Sequence, residues 1–220
     1  AMLMTGAFPE KNGVPGNCHK DNRNGIPDSL ICFTDVLADA GYETAYVGKT
    51  HWHRTEPLFD KENNYVGTSE APGGHYVYPY DTYIPEGRGR KSNKYWFQQL
   101  KDNHFNATAY SNRPELVGGQ KDGEAYHYRR FTTGVEADVA IEFLRNRKGQ
   151  RDASKPFSLF LSVNPPHTPY HRLTDCKEEV FNQYYKDLKT EEVLLRPNVQ
   201  VGEGTQVKNK ERLTFEAKIY

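Results

Sequence analysis

No run of this sequence approaches the roughly 18 consecutive apolar residues that a membrane-crossing helix needs, so no membrane span is expected. The opening stretch AMLMTGAFPE lacks a basic start and a long apolar centre, and does not read as a secretory leader. Net charge is missing too: 29 Lys and Arg stand against 29 Asp and Glu. Such balance argues against a nucleic-acid binder that relies on a general basic face. Cysteine is scarce. Cys18, Cys32 and Cys176 show neither C-x-x-C spacing nor a metal pattern, which leaves open one disulfide with a free thiol or three reduced thiols. Tandem repeats and long low-complexity runs are also absent.

Aromatic residues are plentiful. The 15 Tyr and 11 Phe supply apolar mass with polar edges, and they argue for an ordered chain despite a mean hydropathy of -0.87. The length of 220 residues suits one large domain or part of a larger one. Surface Tyr, Asn, Gly and His in this proportion suit a protein that handles a polar ligand such as sugar.

Two segments share one plan. In the first, PDSLICFTDVLADAGYETAYVGK, Asp28 or Ser29 can cap a helix. Its apolar face is Leu30, Phe33, Val36, Leu37 and Ala40, and Gly41 stands where a left-handed cap belongs. Thr44 to Val47 then reads as a short buried strand running into Gly48-Lys49. In the second, Thr132 or Thr133 can cap a helix whose apolar face is Val135, Val139, Ala140, Phe143 and Leu144. Arg145, Arg147 and Lys148 crowd its C-terminal end, favourably for the helix dipole. A strand over Phe157 to Val163 follows and ends at Asn164-Pro165-Pro166-His167. Alternation of this kind predicts an α/β fold, a mixed and largely parallel sheet flanked by helices. Ligands of open α/β sheets bind at the carboxyl ends of the strands. If the two strands lie parallel, Lys49, His51 and His167 share one edge. Residues 54–130 read as a loop-rich, substrate-facing insertion, and RLTFEAKIY near the end reads as the first turns of a helix.

The stretch GKTHWH carries chemistry. It is not a phosphate-binding P-loop, since Glu43 stands near where that pattern needs glycine and no helix pattern follows Thr50. His51 and His53 could be half of a zinc site, but Thr55 interrupts that pattern. An exposed loop with incidental histidines is the plain alternative. An anion site fits better: one fixed ammonium for a tetrahedral oxyanion and an imidazole to move protons. In NPPHTPYH, three prolines stiffen the loop that bears His167, and such a loop is a place for a cis peptide bond. Rigidity suits a proton donor that must meet one leaving oxygen. His53 and the triplet Asp102-Asn103-His104, beside Phe105 and near Tyr95 and Trp96, are candidates for sugar contact.

Three stretches together carry a resemblance. MLMTGAFPEKNGV, GYETAYVGKTHWH and FLSVNPPHTPY, in that order, resemble the type I sulfatases of the alkaline-phosphatase superfamily. KSNKYWFQQLKDNHFN further resembles an insertion of bacterial sulfatases that act on sulfated glycans. The resemblance implies an alkaline-phosphatase-like catalytic domain of which residues 1–220 are an internal part, with an incomplete sheet. It implies hydrolysis of a sulfate ester on a sulfated carbohydrate, by a formylglycine nucleophile with Ca2+. The motif that yields formylglycine would precede Ala1, and the calcium ligands would lie outside these residues, so this chain alone is expected to be inactive and to hold no metal ligands. Carried over, Lys49 would bind the sulfate, His51 would contact the nucleophile, and His167 would contact the sulfate and protonate the leaving oxygen. Thr50 stands where the family has an aromatic residue. Export to a periplasm or the cell exterior follows from the resemblance alone. Two other readings stay open: a phosphodiester or phosphonate monoester hydrolase of the same superfamily, and a non-catalytic relative that binds sulfated glycan.

Overall fold

The structure, a computed structural model, describes residues 1–18, 21, 23–55, 60–62, 64, 66, 82–100, 104–189, 192 and 210–219. Five strands form one sheet: β1 (Glu43–Lys49), β2 (Tyr95–Gln99), β3 (Ala107–Ser111), β4 (Tyr126–Tyr128) and β5 (Phe157–Ser162), in the order β4-β3-β2-β1-β5. β1 is parallel to both of its neighbours, whereas β2, β3 and β4 pair antiparallel. The helices are α1 (Met2–Thr5), α2 (Pro9–Asn12), α3 (Phe33–Asp39), α4 (Thr132–Arg145), α5 (Glu178–Tyr184) and α6 (Lys210–Ile219). The expected α/β architecture is therefore present. No helix among the described residues is long and apolar enough to cross a membrane.

Side-chain alternation along β1 explains the two cores. Tyr46 registers with Trp96 on one side and Phe160 on the other. Its ring centroid lies 5.3 Å from each of them, and Trp52 meets it edge-on at 4.7 Å. Aromatic pairs of this kind add about 0.5–1.5 kcal/mol beyond their area burial. Met4, Ile26, Cys32 and Ile84 complete that side. On the opposite side Ala45, Val47, Tyr95 and Phe97 pack with Val139 and Phe143 of α4. A strand covered on both faces reads as a nearly continuous apolar run, as β1 does. β5 is different. It lies at the sheet margin, and Phe157 and Leu161 remain 40% and 44% exposed.

Both predicted helices shift. α3 starts at Phe33, not near Asp28 or Ser29, because the Asp35 carboxylate accepts the Cys32 N–H at 2.8 Å. Within α3 only Thr34 is buried, and Val36 faces solvent. Gly41 does take the left-handed conformation, with φ 89°. α4 starts at Thr132, so neither threonine caps it. Its buried stripe is Thr132, Glu136, Val139, Ala140 and Phe143, which leaves Leu144 exposed. The stripe is rotated from the apolar face read in the sequence, and it takes in a carboxyl group.

The largest difference concerns residues 54–130. Read as loop-rich, this span supplies β2, β3 and β4, three of the five strands. These strands are short, and their buried positions include Gln98, Gln99, Thr108 and Ser111. Polar residues inside a sheet hide the apolar run that marks a strand. All three cysteines are free thiols. α6 agrees with the helix read from RLTFEAKIY.

Candidate active site at the carboxyl ends of β1 and β5

The parallel pairing of β1 with β5 puts Gly48 beside Ser162, so both strands leave the sheet at the same edge. Lys49 is the last residue of β1 and is half-buried. Among the described residues no carboxylate lies within ion-pair distance of its ammonium.

Thr50, at the position where an aromatic was expected, is buried. Its hydroxyl accepts a 3.0 Å hydrogen bond from the Gln98 amide of the neighbouring strand. The same amide donates to the Thr82 carbonyl at 2.8 Å and accepts from the Ile84 N–H at 3.0 Å. A buried amide with these bonds made is stabilising rather than costly. The polar exchange at Thr50 is thus matched by a polar partner.

His51 takes the left-handed conformation with φ 51°, turning the chain sharply after β1. Cys18 and Ile26 hold that turn. The Cys18 thiol donates to the His51 carbonyl at 3.5 Å, and the Ile26 N–H donates to the Trp52 carbonyl at 2.9 Å. His53 lies against the Gly89 backbone. Burial, first of all, holds its pKa below the ordinary value; Asp28 opposes the shift, and Arg54 and Lys91 add to it. His53 therefore offers a neutral hydrogen-bonding group near pH 7, not a charge.

Beyond β5 the chain passes Asn164, 5% exposed, into a loop with cis bonds at Pro165–Pro166 and Thr168–Pro169. His167 projects from it and is exposed. Its backbone N–H donates to the Asn164 carbonyl at 3.0 Å, and its Nδ1 lies 2.9 Å from the Thr168 carbonyl. A carbonyl only accepts, so Nδ1 carries a proton.

His104 is placed differently from its expected role in sugar contact. It is only 4% exposed, and its Nε2–H donates to the Pro169 carbonyl at 2.8 Å. Its own carbonyl accepts the Thr132 N–H at the start of α4, also at 2.8 Å. The imidazole braces the His167 loop directly, beside a cavity of about 60 Å³ that His104, Phe131 and His167 help to line. Asp102 and Asn103 lie outside the described residues.

Four polar groups at this edge were missed in the sequence. Gln98 and Gln99 end β2 beside Gly48 and Lys49. Asn164 and Glu136 are buried, and among the described residues their side-chain oxygens have no hydrogen-bond partner. Burial raises the Glu136 pKa from 4.5 to about 8. Folded Glu136 thus keeps its proton where the unfolded chain has released it. Its contribution to stability is unimpaired below 4.5 and declines as pH rises to about 8, by about 1.4 kcal/mol per pH unit. Glu136→Gln should escape that decline. Denaturation of both proteins at pH 5 and pH 8 should show the variant gaining on the parent as pH rises, and a constant gap would contradict the burial argument. The only sequence signal for this group was its spacing, four residues after Thr132.

Among the described residues, no three His, Cys, Asp or Glu side chains are grouped to hold a metal ion. What the edge does present is a cation and two imidazoles, suited to binding a tetrahedral oxyanion and moving a proton.

The chain is similar to known proteins. The family described as Sulfatase matches residues 1–196. An endo-4-O-sulfatase of Bacteroides thetaiotaomicron is 33% identical over 204 residues, which is 91% of this chain and 36% of that protein. An N-acetylgalactosamine-6-sulfatase of Canis lupus familiaris is 29% identical over 78% of this chain and 30% of its own length. Among solved structures, one from Bacteroides thetaiotaomicron, titled for the metabolism of multiple glycosaminoglycans, superposes with a TM-score of 0.76 at 30% identity. It covers 99% of this chain, and this chain covers 41% of it. A putative sulfatase of Bacteroides fragilis gives a TM-score of 0.72 at 26% identity, over 99% of this chain and 43% of that one. The chain thus spans about two fifths of these two solved structures and about a third of these two relatives. It belongs to the sulfatase family.

Proposed function

We propose that the protein hydrolyses sulfate esters on a sulfated carbohydrate. One observation carries the reading: β1 and β5 run parallel and deliver Lys49, His51 and His167 to one sheet edge in a chain of the sulfatase family. The names of its relatives support the substrate class, since the bacterial relative is an endo-4-O-sulfatase and the canine one acts on N-acetylgalactosamine-6-sulfate by its name.

In this reading the Lys49 ammonium neutralises charge on the sulfuryl oxygens, where it grows in the transition state. His51 contacts the nucleophile. His167 gives its Nε2 proton to the departing sugar oxygen, and its exposure lets a ligand reach that atom. His53 offers a neutral hydrogen bond to the substrate, and Asp102 and Asn103 are kept as sugar contacts. A formylglycine nucleophile and Ca2+ belong to the proposal as well; among the described residues no three His, Cys, Asp or Glu side chains form a metal cluster. A periplasmic or secreted location completes the proposal.

Sulfate release by the intact protein from sulfated oligosaccharides, followed by ion chromatography, tests it. The wild type should release sulfate, and Lys49→Ala should lower the rate about 10²–10³-fold, the range for loss of one oxyanion-stabilising group. Cleavage of phosphodiesters to a phosphate monoester and an alcohol, with no sulfate release, would move the protein to the phosphodiesterase side of the superfamily. Binding without turnover would make it a glycan-binding relative.

A further inference from the structure

A second cavity opens beside the small one beneath His167. It is a groove of about 520 Å³, and Phe131 and Cys176 line both. Its floor is aromatic: Phe105 and Phe131 lie 5.2 Å apart, and the Lys177 ammonium sits 5.6 Å from the Phe131 ring centroid. Its cations are unevenly engaged. Arg130 is held by Asp138 at 2.7 Å, whereas Arg129 and Lys177 have no carboxylate partner among the described residues. The first turn of α4 faces the groove through Gly134, with no acidic residue in that turn and no side-chain cap on the helix. A Cβ built on Gly134 meets nothing within 4 Å, so the groove is open there. Glu178 and Glu179 line it as well, so it is no general polyanion surface. With Arg129 and Lys177 among its lining residues, it suits one anionic group and a ring to stack against the phenylalanines.

We propose that this groove, lined by Arg129, Lys177, Phe105 and Phe131, binds a second, negatively charged sugar of the same glycan, next to the sugar whose sulfate is removed. The inference rests on the carbohydrate reading of the adjoining site and adds a subsite to it. The sulfate or carboxylate of that sugar meets Arg129 and Lys177, and its ring lies on the phenylalanine pair. The helix dipole of α4 adds positive potential at the same point.

Calorimetric titration of the intact protein tests this, in a His167→Ala background that slows consumption of the ligand. The ligands are a sulfated tetrasaccharide and the matching sulfated monosaccharide. Arg129→Gln with Lys177→Gln should lower the tetrasaccharide affinity at least about tenfold more than the monosaccharide affinity. Gly134→Asp should do the same by placing a carboxylate in the groove. Because an acidic residue in a first helical turn is favourable, its thermal midpoint should hold or rise, and misfolding could not explain the loss. An affinity ratio untouched by both variants would overturn the proposal, as would a parent protein that does not bind the tetrasaccharide. Sulfate release is scored separately. If none occurs while the groove variants still lose the tetrasaccharide, the hydrolase reading fails and the subsite stands.

Discussion

Gly48→Ala should destabilise the protein by about 3–5 kcal/mol, at the upper end of single-residue effects. Gly48 lies inside β1 with φ 117°, a conformation that L side chains rarely adopt. A Cβ there would sit 2.0 Å from the Ser162 carbonyl oxygen and 2.7 Å from its carbon. Those atoms belong to the backbone of β5 and cannot rotate away. The strands would have to part where they hand the chain to Lys49 on one side and to the His167 loop on the other. The fold and the site should therefore fail together, which urea denaturation and sulfate release can follow in parallel. Gly41→Ala is the control. Gly41 also has positive φ, 89°, but its Cβ would meet nothing within 4 Å. It should cost only the conformational penalty, about 1–2 kcal/mol. Equal costs at the two positions would show that φ alone, and not the approach of β5, makes glycine necessary at position 48.

The comparison of these glycines shows what could be read from the sequence and what could not. The apolar run before Gly48 announces a strand, and the helix patterns before both strands announce α/β alternation. Both arise from local physics, as side-chain period and capping preference do. That β5 passes against Gly48 is a tertiary fact, and no local pattern encodes it. The same division explains α4. Its period was legible, yet the face it buries was set by the sheet, which accepts Thr132 and Glu136 and leaves Leu144 in water. It also explains β2, whose Gln98 and Gln99 look like loop residues until Thr50, Thr82, Ile84 and Tyr128 are seen to satisfy them.

At the candidate site, Lys49 and His51 stood out in the sequence because lysine and histidine directly after a buried strand need a reason. Their supports did not. The imidazole of His104 looks like a ligand-binding group in a polar triplet. In the structure its hydrogen bond to Pro169 serves the loop instead. Removing one partner of such a buried bond leaves a carbonyl unsatisfied, at a cost of about 1–3 kcal/mol. Reading it correctly requires knowing that residues 104 and 169 meet, 65 positions apart in the chain.

His167→Ala in the intact protein should slow hydrolysis of sugar sulfates by about 10³–10⁴-fold, the upper part of the range for a positioned general acid. A sugar oxygen leaves as a strongly basic alkoxide unless it is protonated as the bond to sulfur breaks. The Thr168 carbonyl accepts from Nδ1–H, so in the proposed role the transferred proton sits on Nε2. Two bonds fix where Nε2 lies: Nδ1 to Thr168, and the His167 N–H to Asn164. An aryl sulfate makes the contrasting case. Its phenolate, with a conjugate acid near pKa 10, leaves readily without help. The variant should therefore lose far less on aryl than on sugar sulfates. Equal losses on the two substrate classes would remove the leaving-group role. His167 would then be a sulfate-binding residue alone, and the proton would have to come from another group at the same edge.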